Sequence, residues 1–399
     1  MKKMRYFLLT VLIVGSLIFI SCSNEYANLE KYKFTKNSDP KLVYADEKKV
    51  IIKDGENLVL ESKGNFYKLP TKVDLRKDEI IILLSTEGNY ALTGKIDKDK
   101  FYNVNIVNLI KGNKLPVEYA AVKYMISSQY SLLPNEQYFA YVDKGEKDSD
   151  MTIKMVDLTA FKTYDVKVDM PVTNVIAVKN GSGYHIYFES LGKVYKKLNE
   201  GKPTFIANGY LLYVDENGNI YLYRNINIKT TKIYKIDKNR NEKEIASLDK
   251  PSLLVRKNGD VAAFITANDK EFKSYDMDLI NLKTSKHTVI PNASENLNYD
   301  IPLFYKRGNI AIIFYKEGKT EMIDTKNGNI IVLKNFEKYV FPNSNMEFGL
   351  NIYENQAIGF NKIVQLKKQG NNVKLLLVDA NNKVLKTIAE QQINEEEKQ

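Results

Sequence analysis

Short apolar runs alternate with polar turns along most of the chain. In the stretch 322–333 (MIDTKNGNIIVL), Met322 and Ile323 end one apolar run, Asp324 and Gly328 lie in the turn, and a second apolar run follows. Such runs are rich in β-branched and aromatic residues and are too short for helices, so they indicate β-strands. Because no strong helical periodicity is present over 41–385, the sequence predicts an all-β protein.

The same turn recurs at intervals of 38 to 55 residues. In each copy an apolar residue is followed by Asp or Asn, and several copies have Gly a few residues later. The copies lie at Asn108, Asp157, Asn199, Asp237, Asn281, Asp324 and Asp379, with a weaker one at Glu61. An Asp or Asn side chain at a strand end accepts hydrogen bonds from backbone N–H groups two residues on. We therefore predict that these residues form turns rather than bind a ligand.

A second landmark, a tight polar turn between apolar runs, occurs once in each period. These turns lie at 86–89, 134–137, 181–183, 217–219, 258–260, 307–309 and 342–345. Four short strands in a repeat of this length are typical of a β-propeller blade. We predict a single β-propeller of eight four-stranded blades over 41–390, with seven blades closed by strand exchange as the alternative. The runner-up fold, a pair of two-sheet β-sandwiches, would not give one period from end to end.

The amino-terminal 21 residues have the composition of a secretory signal. Basic residues precede an apolar stretch over 7–20, which is too short to span a membrane comfortably. The stretch 19–22 (Phe-Ile-Ser-Cys) resembles a bacterial lipobox, which implies that Cys22, the only cysteine, is acylated with chains such as palmitate. We predict a signal peptide over 1–21, lipidated Cys22 with a flexible tether over 22–40, and an acidic disordered tail over 391–399. A plain cleaved signal peptide and an uncleaved anchor remain alternatives.

No motif for catalysis or for a cofactor is found. The net charge of +10 comes from basic residues scattered among acids, which argues against nucleic-acid binding. The two histidines, His185 and His287, fall in different repeats and different strand positions, and with one cysteine a His/Cys metal site is not expected. We predict a non-enzyme without metal or cofactor. The enzyme alternative is a glycan-active hydrolase, which would need two carboxylates about 5–9 Å apart in the central funnel.

Binding is expected at the loops that join the second and third strands of each blade, because a rigid scaffold presents them on one face. These loops are charged and longer than the turns on the other face. As probes of a ligand-binding face we select Lys98, Lys147, Asp150, Lys229 and Phe272.

The repeat, the Asp/Asn turns and the lipobox together resemble the β-propeller lipoproteins of the bacterial envelope, which have repeats of the PQQ/WD40 type. A distant comparison is the propeller lipoprotein of the outer-membrane β-barrel assembly machine. That family usually has Trp after the Gly turn, and this chain has no Trp, so no binding residue is transferred. The resemblance implies a lipid-anchored scaffold for a protein or peptide partner, with a role in outer-membrane assembly or maintenance. Ser23 instead of Asp after Cys22 favours the outer membrane. A surface-exposed binder of host or environmental macromolecules is the alternative.

Overall fold

The computed structural model of the protein describes residues 29–70, 79–85, 87–97, 100–117, 137–144, 151–180, 183–198, 201–298, 302–305, 307–334 and 355–393. Eight antiparallel sheets follow one another along the chain, and in each sheet neighbouring strands are consecutive in sequence. The sheets are the blades of an eight-bladed β-propeller. This confirms the predicted fold class.

Blades 1 to 4 come from the first half of the chain. Blade 1 contains β1 (Lys41–Ala45), β2 (Val50–Asp54), β3 (Asn57–Ser62) and β4 (Asn65–Lys68). Blade 2 contains β5 (Glu79–Leu84), β6 (Tyr90–Asp97), β7 (Lys100–Asn108) and β8 (Lys114–Pro116). Blade 3 contains β9 (Tyr138–Lys144), β10 (Met151–Asp157) and β11 (Lys162–Lys167). Blade 4 contains β12 (Asn174–Asn180), β13 (Gly183–Ser190), β14 (Lys193–Leu198) and β15 (Thr204–Asn208).

Blades 5 to 8 complete the ring. Blade 5 contains β16 (Tyr210–Val214), β17 (Ile220–Asn227), β18 (Thr230–Ile236) and β19 (Glu242–Leu248). Blade 6 contains β20 (Ser252–Asn258), β21 (Val261–Ala267), β22 (Tyr275–Asn281) and β23 (His287–Ile290), and a short helix α1 (Ala293–Asn296) follows it. Blade 7 contains β24 (Leu303–Tyr305), β25 (Ile310–Phe314), β26 (Thr320–Asp324) and β27 (Ile330–Leu333). Blade 8 contains β28 (Asn355–Gly359), β29 (Lys362–Gln369), β30 (Asn372–Val378) and β31 (Val384–Gln392). No described helix has the length and apolar character needed to cross a membrane.

In blade 3 the described residues supply three strands. Asp157 lies at the turn between β10 and β11, as the equivalent Asp or Asn lies between the third and fourth strands of other blades. The three strands β9, β10 and β11 therefore correspond to the second, third and fourth strands. Residues 118–136, which precede them, lie outside the described part of the chain.

The core lies between the blades. Each hydrophobic cluster joins neighbouring sheets: for example, Leu212 and Leu248 of blade 5 pack with Phe264 and Ile280 of blade 6. The second strands are packed on both faces, which is why β25 is apolar and buried along its whole length. The fourth strands are the most exposed, so they form the perimeter of the ring.

The ring closes where blade 1 meets blade 8. Leu42, Ile52 and Val59 of blade 1 pack against Val364 and Leu375 of blade 8. All four strands of blade 1 come from residues 41–68 and all four of blade 8 from 355–392, so no strand is exchanged between the ends. The seven-blade alternative is therefore wrong. The eighth repeat, weakest in sequence, is a complete blade.

The residues 30–38, here called the N-terminal strap, lie across this closure. On blade 1, Tyr32 N–H donates to Phe66 O (2.8 Å) and Lys68 N–H donates to Glu30 O (2.8 Å), which extends the outer strand β4. On blade 8, Gln391 Oε1 accepts Phe34 N–H (2.8 Å) and Lys368 Nζ donates to Ser38 O (2.6 Å). The described part of the range predicted as a tether thus lies against the propeller. At the other end, β31 and buried Ile393 continue past residue 390, the predicted propeller boundary.

The recurring Asp and Asn residues form turns as predicted. Their side-chain oxygens accept backbone N–H groups two to four residues on in six of the copies: Asn108, Asp157, Asp237, Asn281, Asp324 and Asp379. Glu61 accepts Gly64 N–H in the same way. The repeat seen in the sequence is therefore a repeat of turn-forming hydrogen bonds.

Two faces of the ring follow from this topology. On the turn face, the turn between the third and fourth strands contacts the turn between the first and second. In blade 6, for instance, Leu282 N–H donates to Asp260 O (2.7 Å). On the opposite face, here called the loop face, the connections between second and third strands meet the crossovers between blades, and Gly209 N–H donates to Gly192 O (2.7 Å). The predicted separation of the two sets of connections is confirmed.

Candidate functional site

Three neighbouring blades present an exposed apolar side chain where the second strand connects to the third. Leu191 in blade 4 is 79% exposed, Ile228 in blade 5 is 89% exposed, and Phe272 in blade 6 is 36% exposed. Leu191 and Ile228 lie in two-residue connections, and Phe272 lies in the longer loop 268–274. Turns of this kind normally carry Gly, Asn, Asp or Ser, so the apolar residues contribute nothing that the turn requires.

The backbone at two of these residues is strained. Leu191 has φ of 50° and Phe272 has φ of 54°, in the left-handed region that favours Gly and Asn. A residue with a Cβ pays about 1 kcal/mol or more for this conformation. The chain therefore has an exposed apolar side chain at positions where Asn would cause less backbone strain. Such strain, when it coincides with exposure, points to a role in binding.

Further exposed apolar residues lie beside these tips at strand ends that open on the loop face. The whole set, here called the loop-face patch, consists of Leu191, Tyr210, Ile226, Ile228, Leu253 and Phe272. The Tyr210 ring stacks on Tyr223 with centroids 5.0 Å apart. At Gly209, a Cβ would lie 2.8 Å from Leu222 Cδ1, so only glycine lets the crossover into blade 5 pass this close to β17. Grouped apolar exposure of this kind marks interaction sites, whereas single exposed residues do not.

Hydrogen bonds fix the loop that carries Phe272. Burial opposes the charge of Asp269, but the N–H groups of Ser274, Lys273 and Glu271 donate to it and hold the pKa of its carboxyl below the usual range. At the base of the loop, Asp276 accepts Asn268 Nδ2 (2.9 Å). The loop is thus organised without help from the Phe272 side chain.

Basic side chains surround the patch. Lys193, Lys229 and Lys270 are exposed next to the apolar tips. Within the loop of blade 6, Lys273 pairs with Glu271. Lysines thus lie at the rim of the apolar tips, together with the acidic Asp269 and Glu271 of the blade 6 loop.

Two of the five predicted probes, Lys229 and Phe272, lie at this patch. Asn227 Oδ1 accepts the backbone N–H of Lys229 (2.7 Å), which forms the turn on which Ile228 projects. Lys98, Lys147 and Asp150 lie outside the described residues. The expectation that loop-face connections are longer is wrong for blades 1, 4, 5 and 8, where two residues join the strands.

Sequence reasoning missed Leu191, Tyr210, Ile226, Ile228 and Leu253. A signal for Leu191 was present, because its neighbour Gly192 marks a two-residue hairpin turn in which the first residue is usually Asn, Asp or Gly. Ile228 and Leu253 have no such signal. In an alternating pattern, an exposed apolar residue at a strand end resembles a buried one.

The two histidines lie in different blades. His185 is in β13 of blade 4, where burial and, to a lesser extent, Lys196 lower the pKa of its imidazole. His287 is in β23 of blade 6, and its Nε2 lies 2.5 Å from Asp278 Oδ1. Among the residues that the structure describes, no group of three or more His, Cys, Asp or Glu side chains could hold a metal ion.

Ionisable groups also meet on the turn face, at the junction of blades 5, 6 and 7. Lys283 Nζ lies 3.2 Å from Asp260 Oδ1 and 3.4 Å from Glu216 Oε1. Burial raises the pKa of Asp260, while Lys283 and Arg307 oppose this. The Asp260 N–H donates to Arg307 O (3.0 Å), so these contacts hold three blades together.

The structure is thus a β-propeller that exposes a set of apolar side chains on its loop face. No protein-family model and no curated protein sequence matches the chain.

Solved structures with a similar chain path include an uncharacterised protein from Listeria monocytogenes EGD-e, with 13% identity, a TM-score of 0.43 and coverage of 79% of this chain and 100% of that one. An oligogalacturonate lyase in complex with manganese is similar with 9% identity, a TM-score of 0.40 and coverage of 74% and 95%. The C-terminal WD40 domain of Sif2 is similar with 9% identity, a TM-score of 0.38 and coverage of 73% and 83%.

Proposed function

We propose that this protein is a lipid-anchored, non-catalytic β-propeller of the cell envelope that binds a protein or peptide partner through the loop-face patch. One observation carries the proposal: three consecutive blades each expose an apolar residue at the tip of the same connection, and two of these residues occupy a strained backbone conformation. An anchored scaffold of this kind fits a role in outer-membrane assembly or maintenance.

The side chains of the patch indicate which chemical groups the partner should carry. Leu191, Ile228 and Phe272 suit an apolar peptide segment that crosses three blades, because burial of each side chain contributes about 1.5–3 kcal/mol. The lysines at the rim suit acidic residues beside that segment, since complementary charge favours the correct register and speeds association. The partner that fits is therefore an extended apolar segment with acidic flanks.

The test is selection of peptides from a random phage-displayed library on the purified full chain. We expect the selected peptides to share apolar residues next to Asp or Glu. Binding of a fluorescent consensus peptide is then measured for the triple variant Leu191→Asn/Ile228→Asn/Phe272→Asn. Asn tolerates positive φ, so the variant should be at least as stable as the parent at positions 191 and 272 but bind at least 10-fold more weakly.

The control is Leu385→Asn, which removes a half-exposed apolar side chain from the perimeter of blade 8. It should leave peptide binding unchanged. Equal binding by the triple variant and the parent would refute the site. Selection of peptides without apolar residues would refute the proposed partner chemistry.

A further inference from the structure

A cleft opens on the turn face at the closure between blades 1 and 8, on the side of the ring opposite the loop-face patch. It has a volume of about 550 Å³. Turns 46–49 and 63–64 of blade 1 form one wall, and the start of β29 with part of β31 forms the other. This volume lies within the range of sites for small ligands, which is about 300–1,000 Å³.

Two of the carboxylates that line the cleft are already occupied by bonds within blade 1. Asp46 Oδ1 accepts the N–H groups of Lys48 (2.6 Å) and Lys49 (2.8 Å), and its Oδ2 accepts the Tyr44 hydroxyl (2.9 Å). Buried Glu61 accepts Gly64 N–H (2.8 Å). These acids shape the turns, and with exposed Glu47 they make three acids in a lining that contains five lysines.

Basic side chains outnumber the acids. Lys48, Lys63, Lys362 and Lys386 are all exposed and line the cleft from both blades. The side chains of Lys48, Lys63 and Lys362 form no ion pair with another residue in the described part of the chain. Lys49 is buried beside them, where its ammonium binds Asn89 and lies 5.8 Å from the centre of the Tyr44 ring. The cleft is therefore a pocket of positive charge that the blade 1–8 closure creates.

Aliphatic side chains form the rest of the lining: Val50, Ile358, Leu377 and Ile388. A ligand must offer anionic groups to the lysines and a surface with apolar patches to these side chains. A sugar ring has apolar C–H faces and a polar edge, and phosphate supplies compact negative charge for ammonium groups. We propose that this cleft between blades 1 and 8 binds a phosphorylated sugar, either free or as the headgroup of a lipid.

The experiment is calorimetric titration of the full chain with fructose 1,6-bisphosphate, with fructose as the uncharged comparison. In parallel, flotation is measured with vesicles of phosphatidylcholine that do or do not contain phosphatidylinositol 4-phosphate. We expect the phosphorylated probe to bind, more weakly at higher salt because charge contributes, and fructose not to bind. Selective flotation without binding of the free sugar would identify the lipid headgroup as the source.

The matched variants are Lys63→Gln/Lys362→Gln in the cleft and Lys162→Gln/Lys238→Gln at exposed positions in blades 3 and 5. The cleft variant should bind at least 10-fold more weakly, and the control variant, with the same loss of net charge, should bind like the parent. Absence of binding by both phosphorylated probes would overturn the proposal. An equal loss in both variants would also overturn it, because it would reduce the effect to net charge.

Discussion

Asp215 and Asp237 make the same turn in two environments. In each, Oδ1 accepts the N–H groups two and four residues on, and Oδ2 accepts the Asn side chain four residues on, at 2.8–3.0 Å. Asp215 is buried at the inner turn of blade 5, whereas Asp237 lies at the outer turn of the same blade. The two residues therefore share three equivalent hydrogen bonds and differ in burial and in one further contact, the Tyr221 hydroxyl that donates to Asp215 Oδ2 (3.4 Å).

We expect Asp215→Ala to lower the free energy of unfolding by about 2 kcal/mol, because it leaves the partly buried donors of the turn and the buried Tyr221 hydroxyl without this partner. Asp237→Ala should cost clearly less, because water replaces the carboxylate there. Chemical denaturation of both variants measures the difference. Equal losses would show that the turn geometry, rather than burial, sets the cost.

The buried position of Lys257 leads to a prediction about how stability depends on pH. Lys257 lies in β20, the first strand of blade 6, and its buried ammonium donates to Leu211 O (2.9 Å) in β16, the first strand of blade 5. Burial lowers the pKa of Lys257 to about 7, while Glu189 opposes the shift. Between pH 7 and about 10 the unfolded chain holds a proton on this lysine that the folded chain has lost, so this group makes stability rise with pH in that window.

Lys257→Met should remove this contribution, which approaches about 1.4 kcal/mol per pH unit for one proton. The measurement is the free energy of unfolding of the parent and the variant at pH 7, 8 and 9. Lys238→Met, at an exposed position, controls for the change in net charge. If the free energy of unfolding of Lys257→Met rises with pH as steeply as that of the parent, other groups cause the pH dependence.

At the scale of elements, the N-terminal strap joins two blades that are far apart in sequence. Phe34 is fully buried and packs edge-on against Tyr32 and Phe66, with ring centroids 5.3 and 5.0 Å away. Its N–H donates to Gln391 Oε1 (2.8 Å), and Gln391 Nε2 donates to Tyr32 O (2.9 Å). Lys368 Nζ donates to Ser38 O (2.6 Å). The strap therefore stabilises the closure of the ring from outside.

Phe34→Ala should cost about 3–5 kcal/mol, as is usual for truncation of a buried aromatic residue. We expect hydrogen exchange to rise first in β4 and β31, because the strap covers these perimeter strands. Phe205→Ala, which truncates a half-exposed ring on blade 4, is the control and should leave the closure protected. A uniform rise in exchange over all eight blades would mean that the strap has no special role at the closure.

The difference between strap and blades shows what the sequence could reveal. Each blade repeats a local signal, since Asp324 binds the N–H of a residue two positions away, and such signals survive in the sequence alone. The strap depends on contacts such as Phe34 to Gln391, 357 residues apart. Residues 30–38 are polar with little periodicity, so the sequence favoured a tether. Likewise, the loop-face patch could not be predicted from the sequence, because its residues belong to different blades and come to share one face only in the folded ring.

At the scale of the whole molecule, the prediction to be tested is the location of the protein in the cell. If Cys22 carries lipid, the parent should incorporate labelled palmitate and fractionate with membranes, whereas Cys22→Ser should do neither. Protease treatment of intact and permeabilised cells then gives the orientation. Cleavage only after permeabilisation would support a periplasmic scaffold. Cleavage on intact cells would favour the surface-exposed binder and refute the assembly role, and a soluble, unlabelled parent would refute the anchor.

A protein that hangs from its amino end carries mechanical load at a single point. If the protein is anchored through Cys22, as proposed, tension would enter the described structure at the strap. It would first act on the backbone hydrogen bonds to Phe66 and Lys68, which would break one after another. The next contacts in line, Phe34 and Gln391, belong to the closure with blade 8. Force on such an anchor would therefore act on the one junction of the ring at which the two ends of the chain meet.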